Sequence, residues 1–152
     1  MKHRQILAAC LALAVAALVA SATAAGGSGG TNLDLTGTVT GSGVSLDAKP
    51  AGPSPGDVGY EVGLVYDHGK RVGRFQGVCT TLPRASQQCS FTLGLAGGQL
   101  VIEAGYGPGF NTGSTALEAI VGGTGAYAGA HGQARDRELG NTRLAFRLEL
   151  TR

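Results

Sequence analysis

Residues 118–132 read Glu-Ala-Ile-Val-Gly-Gly-Thr-Gly-Ala-Tyr-Ala-Gly-Ala-His-Gly. An apolar, strand-like run enters a turn with three glycines among four residues, then leaves through small residues and one aromatic. Glycine lacks a Cβ and reaches positive φ where other residues clash. Gly122, Gly123 and Gly125 therefore read as a structural turn at the tight corner of a strongly bent sheet. The stretch also has the look of a nucleotide loop. Gly123-Thr124-Gly125 followed by Gly129 gives G-x-G-x-x-x-G, however, not G-x-G-x-x-G. No amphipathic helix follows and no βαβ unit surrounds it, so a phosphate-cradling role does not fit.

Outward from this turn, no segment after residue 24 keeps a helical period over several turns, whereas period-2 alternation recurs. At the C-terminus Leu144, Phe146, Leu148 and Leu150 alternate with Arg143, Ala145, Arg147, Glu149 and Thr151. That pattern puts one face in a core and the other in water. Gly140-Asn141 is a hairpin signal, which makes 128–138 the antiparallel neighbour of this strand. Further strands are expected at 32–39, 58–67, 72–82, 89–95, 99–106 and 115–121. Pro50, Pro53 and Pro55, then Asp67-His68-Gly69-Lys70, Ala96-Gly97-Gly98 and Gly107-Pro108-Gly109 through Gly113 supply the breaks between them. The result is an all-β chain of about eight strands, the number at which a small sheet closes on itself. Closure removes edges that would pair with other chains. A β-sandwich is the structural rival, and strand counting does not separate the two. The 27 glycines favour the tighter curvature of a single antiparallel eight-stranded barrel. No repeat of fixed period points to a solenoid.

Residues 1–24 carry a secretory signal pattern. Lys2, His3 and Arg4 form a basic start, Ile6 to Ala20 run unbroken and apolar, and Ala22-Thr23-Ala24 supplies the cleavage site. The run is shorter than the ~20 apolar residues that span a bilayer. Leu7-Ala8-Ala9-Cys10 resembles a lipoprotein box, but few apolar residues precede Cys10 and the run continues past it. Arg4 stands alone, so there is no twin-arginine signal. Residues 25–31 read as a flexible Gly/Ser leader and 32–152 as the barrel domain. Gly26-x-Ser28-x-Gly30 matches a nucleophile elbow in text only, with no strand before it and no helix after it. Cleavage leaves ten basic and ten acidic residues, so the net charge falls from +2 to zero. That balance gives no basic patch for nucleic acid and no anchor to anionic membranes. Lys70, Arg71 and Arg74 form the densest basic cluster, and it reads as a solvated turn. A secreted chain without stable membrane insertion is the expectation.

Cys10 leaves with the signal, and Cys79 and Cys89 remain as an even pair in an exported chain. Facing each other across a 72–82/89–95 hairpin, they are expected to form a disulfide contributing about 2–3 kcal/mol. The rival is a reactive thiol at Cys79, which a disulfide would abolish. Glu61 shares an alternating face with Gly63, Val65 and Asp67, opposite Val62, Leu64 and Tyr66. Glu103 shares a face with Val101 and Gly105, opposite Leu100, Ile102, Ala104 and Tyr106. The favoured reading points both glutamates at water. The alternative puts a carboxylate inside the barrel mouth, where burial would raise its pKa and suit it to acid–base work. Asp136 and Glu138, mixed with Arg135 and Arg137, read as the solvated end of a hairpin. His68 and His131 are too few and too separated for a metal site. No Ser/His/Asp arrangement is supported by spacing.

Several of these segments resemble one superfamily. Ile120-Val121-Gly122-Gly123-Thr124-Gly125-Ala126-Tyr127, then Ala130-His131-Gly132, is similar to the late strand pair of plant dirigent proteins and allene oxide cyclases. Arg71-Val72-Gly73 followed by Gly77-Val78-Cys79 resembles an earlier strand of the same group. Pro53-Ser54-Pro55-Gly56-Asp57 and the Cys79/Cys89 pair resemble its exported bacterial members. The likeness spans residues 45–150, and its glycine motif speaks to fold more than to function. It implies an eight-stranded antiparallel barrel, often a homotrimer, with an apolar cavity. In the cyclases such a cavity folds an unstable fatty-acid epoxide toward one stereoisomer. In dirigent proteins it orients phenoxy radicals or quinone methides. In both, the chemistry is largely orientation.

Carried over residue by residue, the resemblance places Cys79 at a pocket cysteine of the cyclases. It places Tyr106 at a pocket tyrosine after the Glu103 strand, although an ordinary core tyrosine is the favoured reading. The glutamate that partners the cyclase cysteine has no counterpart, since residues 45–57 offer only Asp47 and Asp57. Cys89 also ties up Cys79. Both departures argue against true allene oxide cyclase activity. For a dirigent role, position makes Asp67 and Arg74 the polar pocket candidates. The catalytic candidates are thus Cys79, Tyr106, Glu103, Asp67 and Arg74, with no metal and no cofactor. The function expected is a secreted barrel that binds a small apolar molecule and steers its cyclisation or coupling. The alternatives are a non-catalytic carrier and a structural or cell-surface oligomer.

Overall fold

The computed structural model describes residues 30–110, 113–140 and 142–151; the segment expected to be a signal, 1–24, and the expected leader up to residue 29 lie outside them. Eight strands follow one another: β1 (Thr31–Leu46), β2 (Val58–Asp67), β3 (Lys70–Leu82), β4 (Ser86–Leu95), β5 (Gly98–Tyr106), β6 (Thr115–Gly123), β7 (His131–Gly140) and β8 (Arg143–Thr151). Each pairs antiparallel with the next, and β8 pairs back on β1 through Leu33–Leu148 and Leu35–Phe146. The barrel is therefore closed, which removes the sandwich from consideration. No helix among the described residues is long and apolar enough to cross a membrane.

Strand positions follow the alternation to within two residues except at three ends, one of them the start of β4, at Ser86 rather than Cys89. β1 runs on to Leu46 rather than ending near residue 39. Its ladder with β2 shifts register between Val39 and Gly41 and again between Val44 and Leu46. Each bulge reverses the phase of the alternation, so this half of the strand carries no single period in the sequence. β7 begins at His131, because Ala128 and Gly129 belong to the turn, where Gly129 has φ of +76°. Asp67-His68-Gly69-Lys70 is a two-residue hairpin turn with φ of 47° at His68 and 80° at Gly69, the geometry that matches strand twist.

The glycine turn closes one end of the barrel. Thr124 N–H donates to the Gln99 carbonyl at 2.9 Å and Ala126 N–H to the Gly97 carbonyl at 2.8 Å, which ties the turn onto the β4–β5 hairpin. A Cβ on Gly125 would lie 2.4 Å from the Gly97 oxygen, and one on Gly123 would lie 2.4 Å from the Tyr127 oxygen. A Cβ on Gly122 would meet nothing within 4 Å. Two of the three glycines are thus required by close approach of backbone, and the third is not.

Beneath this turn Leu93, Leu100, Ile102, Ile120, Leu148 and Leu150 fill the interior. The next layer is aromatic. Gly63 pairs with Phe75 and Gly77 with Phe91, so each ring lies across a strand that offers no side chain there. An alanine Cβ at position 63 would stand 2.3 Å from both Phe75 Cε1 and the Thr38 carbonyl oxygen. Cys79 and Cys89 occupy directly paired positions on β3 and β4 and form a disulfide. Gly63→Ala is expected to lose about 1–3 kcal/mol by overpacking, while Gly122→Ala stays within about 0.5 kcal/mol of the parent. Urea denaturation of the two variants side by side measures this, and equal midpoints would refute the ring-on-glycine account.

Candidate functional site: an acidic cluster inside the barrel

Four strands send polar groups inward. On β2, Glu61 shares the inner face with Gly63 and Val65, both buried. On β5, Tyr106 follows Leu100, Ile102 and Ala104. On β6, Glu118 sits between Ala116 and Ile120, and on β7, Asp136 follows Ala134. Ala116 pairs with Asp136 and Ala134 with Glu118, which makes the two carboxyl groups diagonal neighbours on one face. Glu118 is 5 % exposed and Asp136 9 % exposed. Glu138 lies on the same face of β7, one alternation further toward the strand end.

Tyr106 Oη donates to Glu118 Oε1 at 2.5 Å. The Tyr106 ring stacks on Phe110 with centroids 4.5 Å apart, and meets Phe91 edge-on at 6.5 Å. Asp136 is in the opposite situation, because its buried Oδ1 has no hydrogen-bond partner. Burial, then the Glu118 and Glu61 charges, push its carboxyl up to about 7, against a smaller lowering by the Arg137 backbone N–H. Burial raises Glu118 as well, with the Tyr106 hydroxyl acting the other way. Glu61 is raised by burial and by Glu138. Burial and the Glu118 charge hold the Tyr106 phenol far above its ordinary value, so it stays a hydrogen-bond donor.

Glu61, Glu118 and Asp136 line an internal space together with Phe75, Phe91, Leu93, Ile102, Leu144 and Phe146. Room for the centre of a water-sized sphere is only about 10 Å³, roughly one water molecule. The apolar cavity implied by the resemblance is thus nearly filled here, because the rings of Phe75 and Phe91 lie over Gly63 and Gly77 and that of Phe146 lies against Gly37. A surface hollow of about 870 Å³ is an open groove on the outer wall lined by Arg71, Arg74, Gln76, Thr92, Leu95, Gln99 and neighbouring residues. It holds no carboxylate and no aromatic side chain. Among the described residues, no three His, Cys, Asp or Glu side chains are grouped to hold a metal ion.

The structure separates the sequence candidates. Tyr106 is in the cluster. Cys79 is in the disulfide, which rules out a free thiol there and leaves the pair as part of the wall. Glu103 faces outward, with Gln88 Nε2 at 3.5 Å from its carboxylate. Asp67 is in the exposed β2–β3 turn beside His68, at the other end of the barrel from Glu61. Arg74 is exposed on the outer face of β3, opposite in phase to Phe75. Glu61 does not point to water as favoured, and Asp136 is not a solvated hairpin residue. The deciding feature is the register with β8, which pairs Asp136 with Phe146 and Glu138 with Leu144 and so puts both acids on the inward face of β7.

No protein-family model and no curated protein sequence matches this chain. Solved structures do. A pyocyanin demethylase superposes with TM-score 0.69 at 23% identity, covering 80% of this chain and 100% of that one. A pterocarpan synthase dirigent protein gives 0.64 at 20%, covering 80% and 84%. An exo-specific intermolecular Diels–Alderase gives 0.59 at 17%, covering 81% and 98%. The chain shares the closed eight-stranded barrel fold of these structures. At these identities the likeness concerns backbone architecture, and the side chains of the interior must be read from this chain itself.

Raised carboxyl pKa values have a consequence for stability. The folded protein holds the Asp136 proton more tightly than the unfolded chain, whose Asp titrates near ~3.9. Stability is therefore lost as pH rises from that value through about 7, and the loss is complete above it. Thermal melts from pH ~5 to pH ~8 should show a falling Tm. Asp136→Asn should flatten the decline and be more stable by about 1–3 kcal/mol at the upper pH. A Tm that rises over this range would contradict the burial of Asp136.

Proposed function

We propose that this chain is a secreted barrel that admits a small, largely apolar ligand and steers its cyclisation or coupling, with Asp136 and the Glu118–Tyr106 pair as acid–base groups. The observation that carries this reading is Asp136 Oδ1, buried, unpartnered and poised near neutrality inside a closed apolar wall. A carboxyl with its pKa near the working pH gives and takes a proton with comparable ease. The Tyr106 hydrogen bond fixes Glu118 and leaves its second oxygen for a ligand. Orientation by the aromatic walls supplies the rest. The names of the structural neighbours, a demethylase, a dirigent pterocarpan synthase and a Diels–Alderase, are consistent with a scaffold that handles small unsaturated molecules. Entry of a ligand requires the lining side chains to rearrange, since the interior has room for about one water.

A panel of phenols with a one-electron oxidant, a quinone methide precursor and a diene–dienophile pair tests the reading. Expected is enantiomeric or regiochemical bias in at least one product, lost in Asp136→Asn. Identical product mixtures with and without protein would remove the steering role.

The nearly filled interior favours a second reading, a structural oligomer. The outer wall of β2 and β3 exposes Tyr60, Val62 and Val78 at 43%, 38% and 50%, an apolar surface suited to a second copy. Under this reading the panel gives no bias while the protein is a stable homotrimer in solution. Export is supported by the N-terminal signal pattern and by the disulfide. The intact mass of the exported protein, taken without reductant, should correspond to a chain starting at Ala25 or Gly26 that takes up no thiol label before reduction.

A further inference from the structure

The charges inside this barrel do not balance. Glu61, Glu118 and Asp136 line the internal space, and Glu138 adds a fourth carboxyl close enough to raise two of them. Every Lys, Arg and His whose exposure is described lies on the outside, and none lines the space. A buried carboxylate without a counter-charge is costly, and it is neutralised either by a proton or by a cation. The upward shifts of all three lining acids describe the first answer.

Two independent features point to the second answer. Asp136 lines the space and is only 9 % exposed, and its buried Oδ1 has no donor. The room beside it matches one water molecule, which is also the size of an ammonium group. Around it stand the rings of Phe75 and Phe146, edge to face at 5.8 Å, and that of Phe91. Ring faces attract a cation that has left water.

We propose that this interior site takes an organic cation: a primary or secondary ammonium group on a small aromatic or aliphatic body, its N–H donors seated on Asp136 and its charge shared with Glu118 and Glu61. The proposal rests on the reading that the barrel admits a ligand and adds the charge class of that ligand. The groups facing Asp136 are Glu118 from β6, Glu61 from β2, Tyr106 from β5, Phe146 from β8 and Glu138 from its own strand. All the titratable ones are acids or a phenol, so a bound cation displaces protons from the cluster. Affinity therefore rises with pH through the neutral range.

Isothermal titration with phenethylammonium, 2-phenylethanol and phenylacetate separates the possibilities. At pH ~8, phenethylammonium is expected to bind at least about tenfold more tightly than the neutral alcohol, and phenylacetate not at all. The preference should shrink by about tenfold at pH ~5.5 and in Asp136→Asn, and persist in Glu103→Gln, whose side chain is on the outer wall. Should Asp136→Asn fail to fold by circular dichroism, Glu118→Gln serves in its place. Equal binding of the ammonium and the alcohol, or tighter binding of phenylacetate, overturns the cation assignment and leaves the ligand-binding barrel standing. Binding of none of the three overturns both.

Discussion

Pairing of Thr31–Thr38 with Arg143–Leu150 joins the last strand to the first, and that seam is the constraint on which the molecule depends. Once the sheet is closed, every second residue of every strand is committed to a space little wider than the side chains in it. No strand can slip by one residue without turning its inner set outward. The seam thus fixes what lies inside at positions far from it, including β6 and β7, which carry Glu118 and Asp136.

The interior is built in layers that follow from this limit on space. Aliphatic side chains fill the end beneath the glycine turn. In the middle, rings are accommodated only because the facing strands present Gly63 and Gly77. Toward the other end the disulfide, Tyr106 and Ala104 form a smaller cluster that Phe91 joins to the rest. The acidic groups occupy the junction between these clusters. Carboxyl groups there do not serve packing, since apolar residues of similar volume would fill the same positions at lower cost. Their presence in such a place is what the proposed acid–base role would use.

The outer face tells a complementary story. Arg135 and Arg147 stand directly opposite each other and both approach Glu149, at 3.8 and 3.6 Å. Such exposed pairs contribute little to stability. They do keep the basic residues of β7 and β8 in water while the acids of β7 are carried inward. The run Arg135-Asp136-Arg137-Glu138 therefore acts as a sorting device: its bases face solvent and its acids face the core.

The sequence alone determined the strands, nearly all of their boundaries, the turns between them and the partner of Cys79. These are local properties: period-2 alternation, residues able to turn the chain, and two cysteines brought face to face by a short hairpin connection. It could not decide which face of an ambiguous strand points inward. On β2 the sequence makes Val62, Leu64 and Tyr66 look like the core face, yet Val62 is 38% exposed while Gly63 and Val65 are buried. Hydropathy reads a glycine as outer, whereas a narrow barrel needs it inside to make room for Phe75 from the next strand. Glu61 is carried inward with that face, as Asp136 is by its register against Phe146. Bulges at Val39/Gly41 and Glu138/Gly140 reset the phase between strands, and only the closed ladder reveals their sum. The acidic site is therefore a product of register and closure, which are long-range properties that no local pattern in the chain contains.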